Sequence, residues 1–178
     1  AEATVDNVKA GAYKLSRPFN IATKGEPTGL AKDFINFILS KEGQAVVTDN
    51  KYIAVNDAAE SFVSDGSSGQ IAVGGSSSVS PVMEKLIEAY KSVNPNASID
   101  LQTSDSTSGM TGAMDGTFAI GMASRELKDE EAAQLTGTAI ALDGIAVIVN
   151  PANTIDELSM DQIKSIYVGD ITDWGDLA

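Results

Sequence analysis

Ile71-Ala-Val-Gly-Gly-Ser-Ser-Ser-Val-Ser-Pro81 is the stretch whose reading decides the fold. A short β-branched run ends in two glycines and three serines, and Pro81 then opens a segment with apolar residues at 82, 83, 86, 87, 90 and 93, which is helical spacing. The pattern predicts a strand, a tight turn and a helix N-terminus. Such a turn suits an anion: Gly74 and Gly75 let the backbone bend and approach a ligand, the hydroxyls of Ser76, Ser77 and Ser78 donate, and the first helical N–H groups lack partners. The same residues also fit a serine-capped helix after a buried strand, with no ligand at all.

Working outward, residues 97–101 read as a second strand and 118–124 as a third. Between them lies a second hydroxyl-rich turn, Thr103-Ser-Asp-Ser-Thr-Ser-Gly-Met110, before a helix over 110–114. Two such turns at the carboxyl ends of neighbouring strands would face each other across the top of a sheet. On the N-terminal side, residues 1–10 read as frayed and 13–23 as extended, with Pro18 implying an edge position or a break. Helices are expected over 30–39 and 42–48, a short strand over 52–55, and a Ser/Asp/Gly-rich linker over 56–70. Downstream come a short acidic helix over 129–135 and a β-type run over 138–149 broken at Asp143-Gly144. Ser159-Met-Asp-Gln162 is a capping box, opening a helix with Met160, Ile163, Ile166 and Tyr167 on its apolar face. Strands alternating with helices predict an α/β three-layer sandwich with a mostly parallel central sheet.

Composition narrows the chemistry. With no cysteine and no histidine among 178 residues, thiolate catalysis, disulfides, zinc–thiolate sites and serine–histidine hydrolysis are excluded. No run approaches a membrane helix, and the N-terminus carries no signal segment. A net charge of −13 argues against nucleic acid and anionic membrane surfaces, and an anion here would be held by aimed hydrogen bonds rather than by net field. The carboxylates show no metal-ligand spacing, so a metal-dependent phosphatase built on Asp105 or Asp143 is the weakest reading; neither a catalytic residue nor a cofactor is assigned.

Several stretches jointly resemble the phosphate-binding protein of bacterial ABC phosphate importers, a class of periplasmic binding proteins. They are Gly75-Ser-Ser-Ser-Val-Ser-Pro81, Ser104-Asp-Ser-Thr-Ser-Gly109, Ile120-Gly-Met-Ala-Ser-Arg-Glu-Leu127 and Ile163-Lys-Ser-Ile-Tyr-Val-Gly-Asp-Ile-Thr-Asp-Trp174. A fifth, Tyr13-Lys-Leu-Ser-Arg-Pro-Phe19 with Phe34-Ile-Asn-Phe-Ile-Leu-Ser-Lys-Glu-Gly-Gln44, is similar to the family's C-terminal part. The order departs from the family, because the returning segment comes first. The resemblance therefore implies a single type II periplasmic-binding-protein-like domain over 1–178, circularly permuted: 1–57 like the family's C-terminal part, 58–70 a linker, and 71–178 like its N-terminal part. The second domain, which in the family supplies an arginine and a Ser-Gly-Thr loop, is expected to be absent.

Carried over residue by residue, the resemblance implies phosphate contacts at Ser77, Ser78 and the Val79 N–H, at Ser106 and Thr107, and at Ser124 beside Arg125, with Asp105 a substitute acceptor for the proton of hydrogen phosphate. Alternatives stand beside these: Ser78 and Ser106 as helix caps, Asp105 as an N-cap, Arg125 paired with Glu126 or Asp129. The family implies an extracytoplasmic location and a membrane ABC permease as partner. One half of a ligand site predicts weak or no affinity. The competing expectation is a permuted scaffold that binds nothing and forms a homodimer through its exposed hinge face.

Overall fold

The run around Val73 forms β3 (Gly69–Ser76), which pairs on both sides. It lies parallel to β4 (Ala97–Ser104), from Gly69↔Ala97 to Ser76↔Ser104, and parallel to β5 (Ile120–Ala123) at Val73↔Ile120 to Gly75↔Met122. The computed structural model describes residues 1–177. With β1 (Ser16–Thr23), β2 (Ile53–Ala54) and β6 (Thr136–Gly144), these strands make one sheet in the order β2-β6-β1-β5-β3-β4. The pairs β1–β5 and β2–β6 are antiparallel, so the sheet is mixed, and its parallel half carries the two serine turns. Pro18 does not put β1 at an edge. The strand sits inside the sheet, and its register with β5 covers only Asn20 to Ala22, beyond the residue that lacks an N–H.

Helices cover both faces, as expected of the sandwich. On one side α2 (Gly29–Leu39), α3 (Lys41–Asp49) and α4 (Ser80–Val93) bury Phe34, Phe37, Val47, Met83, Leu86 and Tyr90 against Phe19, Ile21, Val73, Ile120 and Met122. On the other, α5 (Ser106–Asp115) packs Met110 and Ala113 against Ala22 and Ala123. Neighbouring residues Ile21 and Ala22, and Met122 and Ala123, divide between the two cores because successive strand side chains point to opposite faces.

The expected linker has no regular structure over 55–68, yet it is fastened down. Phe62 stacks edge-on to Phe37 at 5.3 Å and donates its N–H to Glu42 at 2.7 Å. Buried Asp33 on α2 accepts from the Ser64 hydroxyl at 2.7 Å, the Asp65 N–H at 3.0 Å and the Tyr90 phenol at 2.5 Å. Asn94 adds a bond to the Ser67 carbonyl at 2.7 Å.

All of this belongs to one compact unit, Arg17–Gly144; a second is formed by Ala1–Ser16 with Ile145–Ala178. The six-stranded sheet and the helices packed on its faces lie in the larger unit. In the smaller one the supposedly frayed N-terminus forms α1 (Val5–Lys9), because Thr4 caps it by accepting from the Asn7 N–H at 3.2 Å. After the helix α6 (Asp129–Ala132) and β6, the β-type run stops at Asp143-Gly144, and 145–150 is irregular. The capping box is present at α7 (Met160–Val168), but no residue of that helix is buried.

Candidate anion site

The glycines of the opening stretch serve packing. A Cβ on Gly75, whose φ is +136°, would stand 2.3 Å from the Met122 carbonyl oxygen and 2.9 Å from Gly109 Cα, and one on Gly74 would enter the Phe118 ring. Helix α5 therefore lies directly on β3 and β5, and the room these glycines leave is filled by protein rather than by a ligand.

Beyond them, the α4 cap is Val79, with no side-chain bond, so the serines do not act as its N-cap. Ser77 is exposed and donates its N–H to the Ser104 carbonyl at 2.9 Å. The Val79 N–H, expected to face an anion, instead donates to the Ser76 carbonyl at 3.0 Å. Ser80 donates to the same carbonyl at 3.2 Å and accepts from Thr103 at 2.9 Å. Half-buried Ser78 keeps both its N–H and its hydroxyl without a partner among the described residues, which leaves it the open donor at this helix start.

At the second turn, Asp105 is the N-cap of α5, accepting from the N–H groups of Thr107 at 2.8 Å and Ser108 at 3.0 Å and from the Ser108 hydroxyl at 2.7 Å. The helix consequently begins four residues before Met110, at Ser106. The bonds from Ser108 above all hold the Asp105 carboxyl below its usual range, which disfavours it as a proton acceptor. Half-buried Ser106 accepts from the Ser124 N–H at 3.1 Å, joining the start of α5 to the end of β5.

At the third strand, Ser124 accepts from buried Ser76, hydroxyl to hydroxyl at 3.0 Å. Arg125 pairs with neither Glu126 nor Asp129 through their side chains. It grips buried Glu131 with two bonds, 2.7 and 2.8 Å, donates to the Glu126 carbonyl at 2.9 Å and reaches the Thr107 hydroxyl at 3.3 Å. That guanidinium, with the Lys128 N–H, holds the Glu131 carboxyl below its usual range. Arg125 thus ties the α6 loop to α5 as a structural clamp.

The geometry brings together Ser76, Ser78, Ser106 and Ser124 at the carboxyl ends of β3 and β5 and the starts of α4 and α5. Ser77 lies outside this chain of hydroxyls, and Thr107 reaches it only through Arg125. Sequence reasoning named Ser76 and Asp143 without their partners and gave Arg17 no role of its own. Ser76 had been grouped with its neighbours without its partner Ser124, 48 residues away. Arg17 and Asp143 form a 3.0 Å ion pair across 126 residues, and Arg17 also lies 3.5 Å from the Ser124 hydroxyl. The only available signal was a lone arginine inside a β-type run. Among the described residues no group of three or more acidic side chains is placed to hold a metal ion.

Residues 61–178 match the model of the PBP superfamily domain. The chain is 52% identical over 178 residues, 99% of its length, to "Phosphate-binding protein PstS 2" of Streptococcus agalactiae, and spans about 60% of that relative. A crystal structure of a phosphate-binding protein of a phosphate ABC transporter from Streptococcus pneumoniae superposes on the whole chain with a TM-score of 0.94 at 46% identity, the match covering 69% of that structure. A putative phosphate ABC transporter substrate-binding protein with bound phosphate, from Clostridium perfringens, matches 61% of this chain and 45% of its own, with a TM-score of 0.53 at 44% identity. The fold, the paired serine turns and these matches agree that the chain belongs to the PBP superfamily, among the phosphate-binding proteins of ABC phosphate transporters.

Proposed function

We propose that this chain carries one half of an inorganic phosphate site in the solute-binding component of an ABC phosphate transporter, outside the cytoplasm and serving a membrane permease, and that it is not an enzyme. The observation that carries the reading is the hydroxyl chain Ser76–Ser124–Ser106 beside the open Ser78 N–H, a concentrated set of donors where two parallel strands end. A fully ionised oxyanion takes such bonds well, and each contributes on the order of 1.5–3 kcal/mol when the acceptor is charged. The chain spans 60% of the streptococcal relative, so further contacts would come from the remaining length of such a protein, and the affinity of this half alone is expected to be weak.

We read the segment order as a circular permutation shared with the streptococcal relatives. Supporting this, the match to Streptococcus agalactiae runs through 99% of the chain, whereas the Clostridium perfringens structure covers 61% and the family model begins at residue 61. A second reading, self-association, draws support from exposed apolar residues of the smaller unit, Ile148, Tyr167 and Val168, which are 89, 81 and 62% accessible. Sedimentation of this chain from micromolar to hundreds of micromolar separates the two: a mass that doubles favours the dimer.

Isothermal titration with inorganic phosphate to millimolar concentration tests the main reading. Saturable heat is expected, weakened about tenfold in Ser124→Ala and in Ser78→Ala. A flat trace with the unaltered chain would sink it.

A further inference from the structure

We infer that Arg17 is the charged anion contact of this half-site, with Asp143 setting the direction of its guanidinium; the inference rests on the phosphate reading above. The chain has two arginines, and they are used differently. Arg125 is consumed by the two-bond grip on Glu131 and by the Glu126 carbonyl. Arg17 gives only its Nε to Asp143, at 3.0 Å, and a long 3.5 Å contact from Nη1 to the Ser124 hydroxyl. Its Nη2 has no partner among the described residues.

The placement is fixed from three sides. Asp143 takes one corner of the guanidinium, the Phe19 ring lies 5.6 Å beneath it, and Nη1 faces the Ser124 hydroxyl. The side chain is 38% accessible, open enough to meet a solute and held enough to lose little freedom in doing so. In a chain of net charge −13, a dianion reaching Ser124 needs a local cation, and this is the one with unspent donors at that hydroxyl.

Titration of inorganic phosphate into the purified protein at two or more salt concentrations tests this. Arg17→Met is expected to weaken binding about tenfold or more and to flatten the dependence of affinity on salt, since a full charge leaves the site. Arg17→Lys should fall between, keeping charge without the planar fork. Asp143→Asn, which keeps the cation but loosens its direction, should lose less than Arg17→Met. The melting temperature without phosphate should move by only a few degrees in all three, because a half-exposed pair contributes little to folding. Unaltered affinity in Arg17→Met overturns the inference, as does a loss matched by an equal loss of unliganded stability. An unaltered protein that takes up no phosphate overturns the underlying reading, and the inference falls with it.

Discussion

Asp33→Ala is expected to destabilise the Arg17–Gly144 unit by about 3–5 kcal/mol, the scale of removing one partner from a buried charged network. Asp33 is 2% accessible and joins three parts of the chain: its own helix, α4 through Tyr90, and the 55–68 segment through Ser64 and Asp65. Without it the Tyr90 phenol, the Asp65 N–H and the Ser64 hydroxyl lose their acceptor inside the fold, and Phe62 loses the anchor that keeps it on Phe37. Urea unfolding followed by circular dichroism measures this; a loss below about 1 kcal/mol would show that the segment is held by Phe62 and Glu42 alone. Burial raises the Asp33 carboxyl, but the bonds from Tyr90, Asp65, Ser64 and Asn94 together outweigh it and leave the group below the ordinary carboxylate range. A carboxylate lowered by folding stabilises above its unfolded pKa and loses that contribution as acid takes the pH down through the folded value. The urea midpoint should therefore fall as pH drops below about 4, and the fall should be shallower in Asp33→Asn.

Gly109→Ala is the second large effect, and its sign runs against helix propensity. Alanine in a helix interior is favoured over glycine by about 1 kcal/mol. Here the new Cβ would stand 2.6 Å from the Met122 carbonyl oxygen and 2.8 Å from Gly75 Cα, both backbone atoms that cannot rotate aside. The helix must lift off β3 and β5, at a net cost of about 3 kcal/mol. Lifting α5 also draws the Ser106 hydroxyl from the Ser124 N–H, so phosphate binding should weaken along with stability. Gly112→Ala is the comparison: its Cβ meets the Phe118 ring, a side chain with some freedom to shift, and should cost less. Equal stability of Gly109→Ala and the unaltered chain would refute the close-packing account.

Much of the architecture was legible because hydrophobic period and turn chemistry act locally. The strand at Val73, the helix after Pro81 and the capping box at Ser159 each follow from residues within a few positions of one another. The family resemblance was legible from several motifs at once. What escaped were partnerships across long sequence separations. Arg125 finds Glu131 because the α6 turn folds that side chain back, a geometry that adjacency to Glu126 and Asp129 concealed. The polar composition of 56–70 suggested freedom, yet Asp33, Glu42 and Asn94 wait for it on three helices or helix ends. The glycine pair was assigned to a ligand because sequence does not reveal that another glycine, 34 residues away from Gly75 at position 109, needs the same space.

The ion pair of Arg17 and Asp143 also has a mechanical meaning. Arg17 opens the larger unit and Gly144 closes it, and their strands β1 and β6 are neighbours in the sheet. Both points at which chain enters or leaves the sandwich thus meet at one corner, bridged by a 3.0 Å bond one hydroxyl away from the candidate site. Tension applied between the two ends of this unit would bear on that corner, where β1 and β6 lie side by side. An anion that holds Arg17 in place would act there as a brace, so occupancy and traction would be felt at the same atoms.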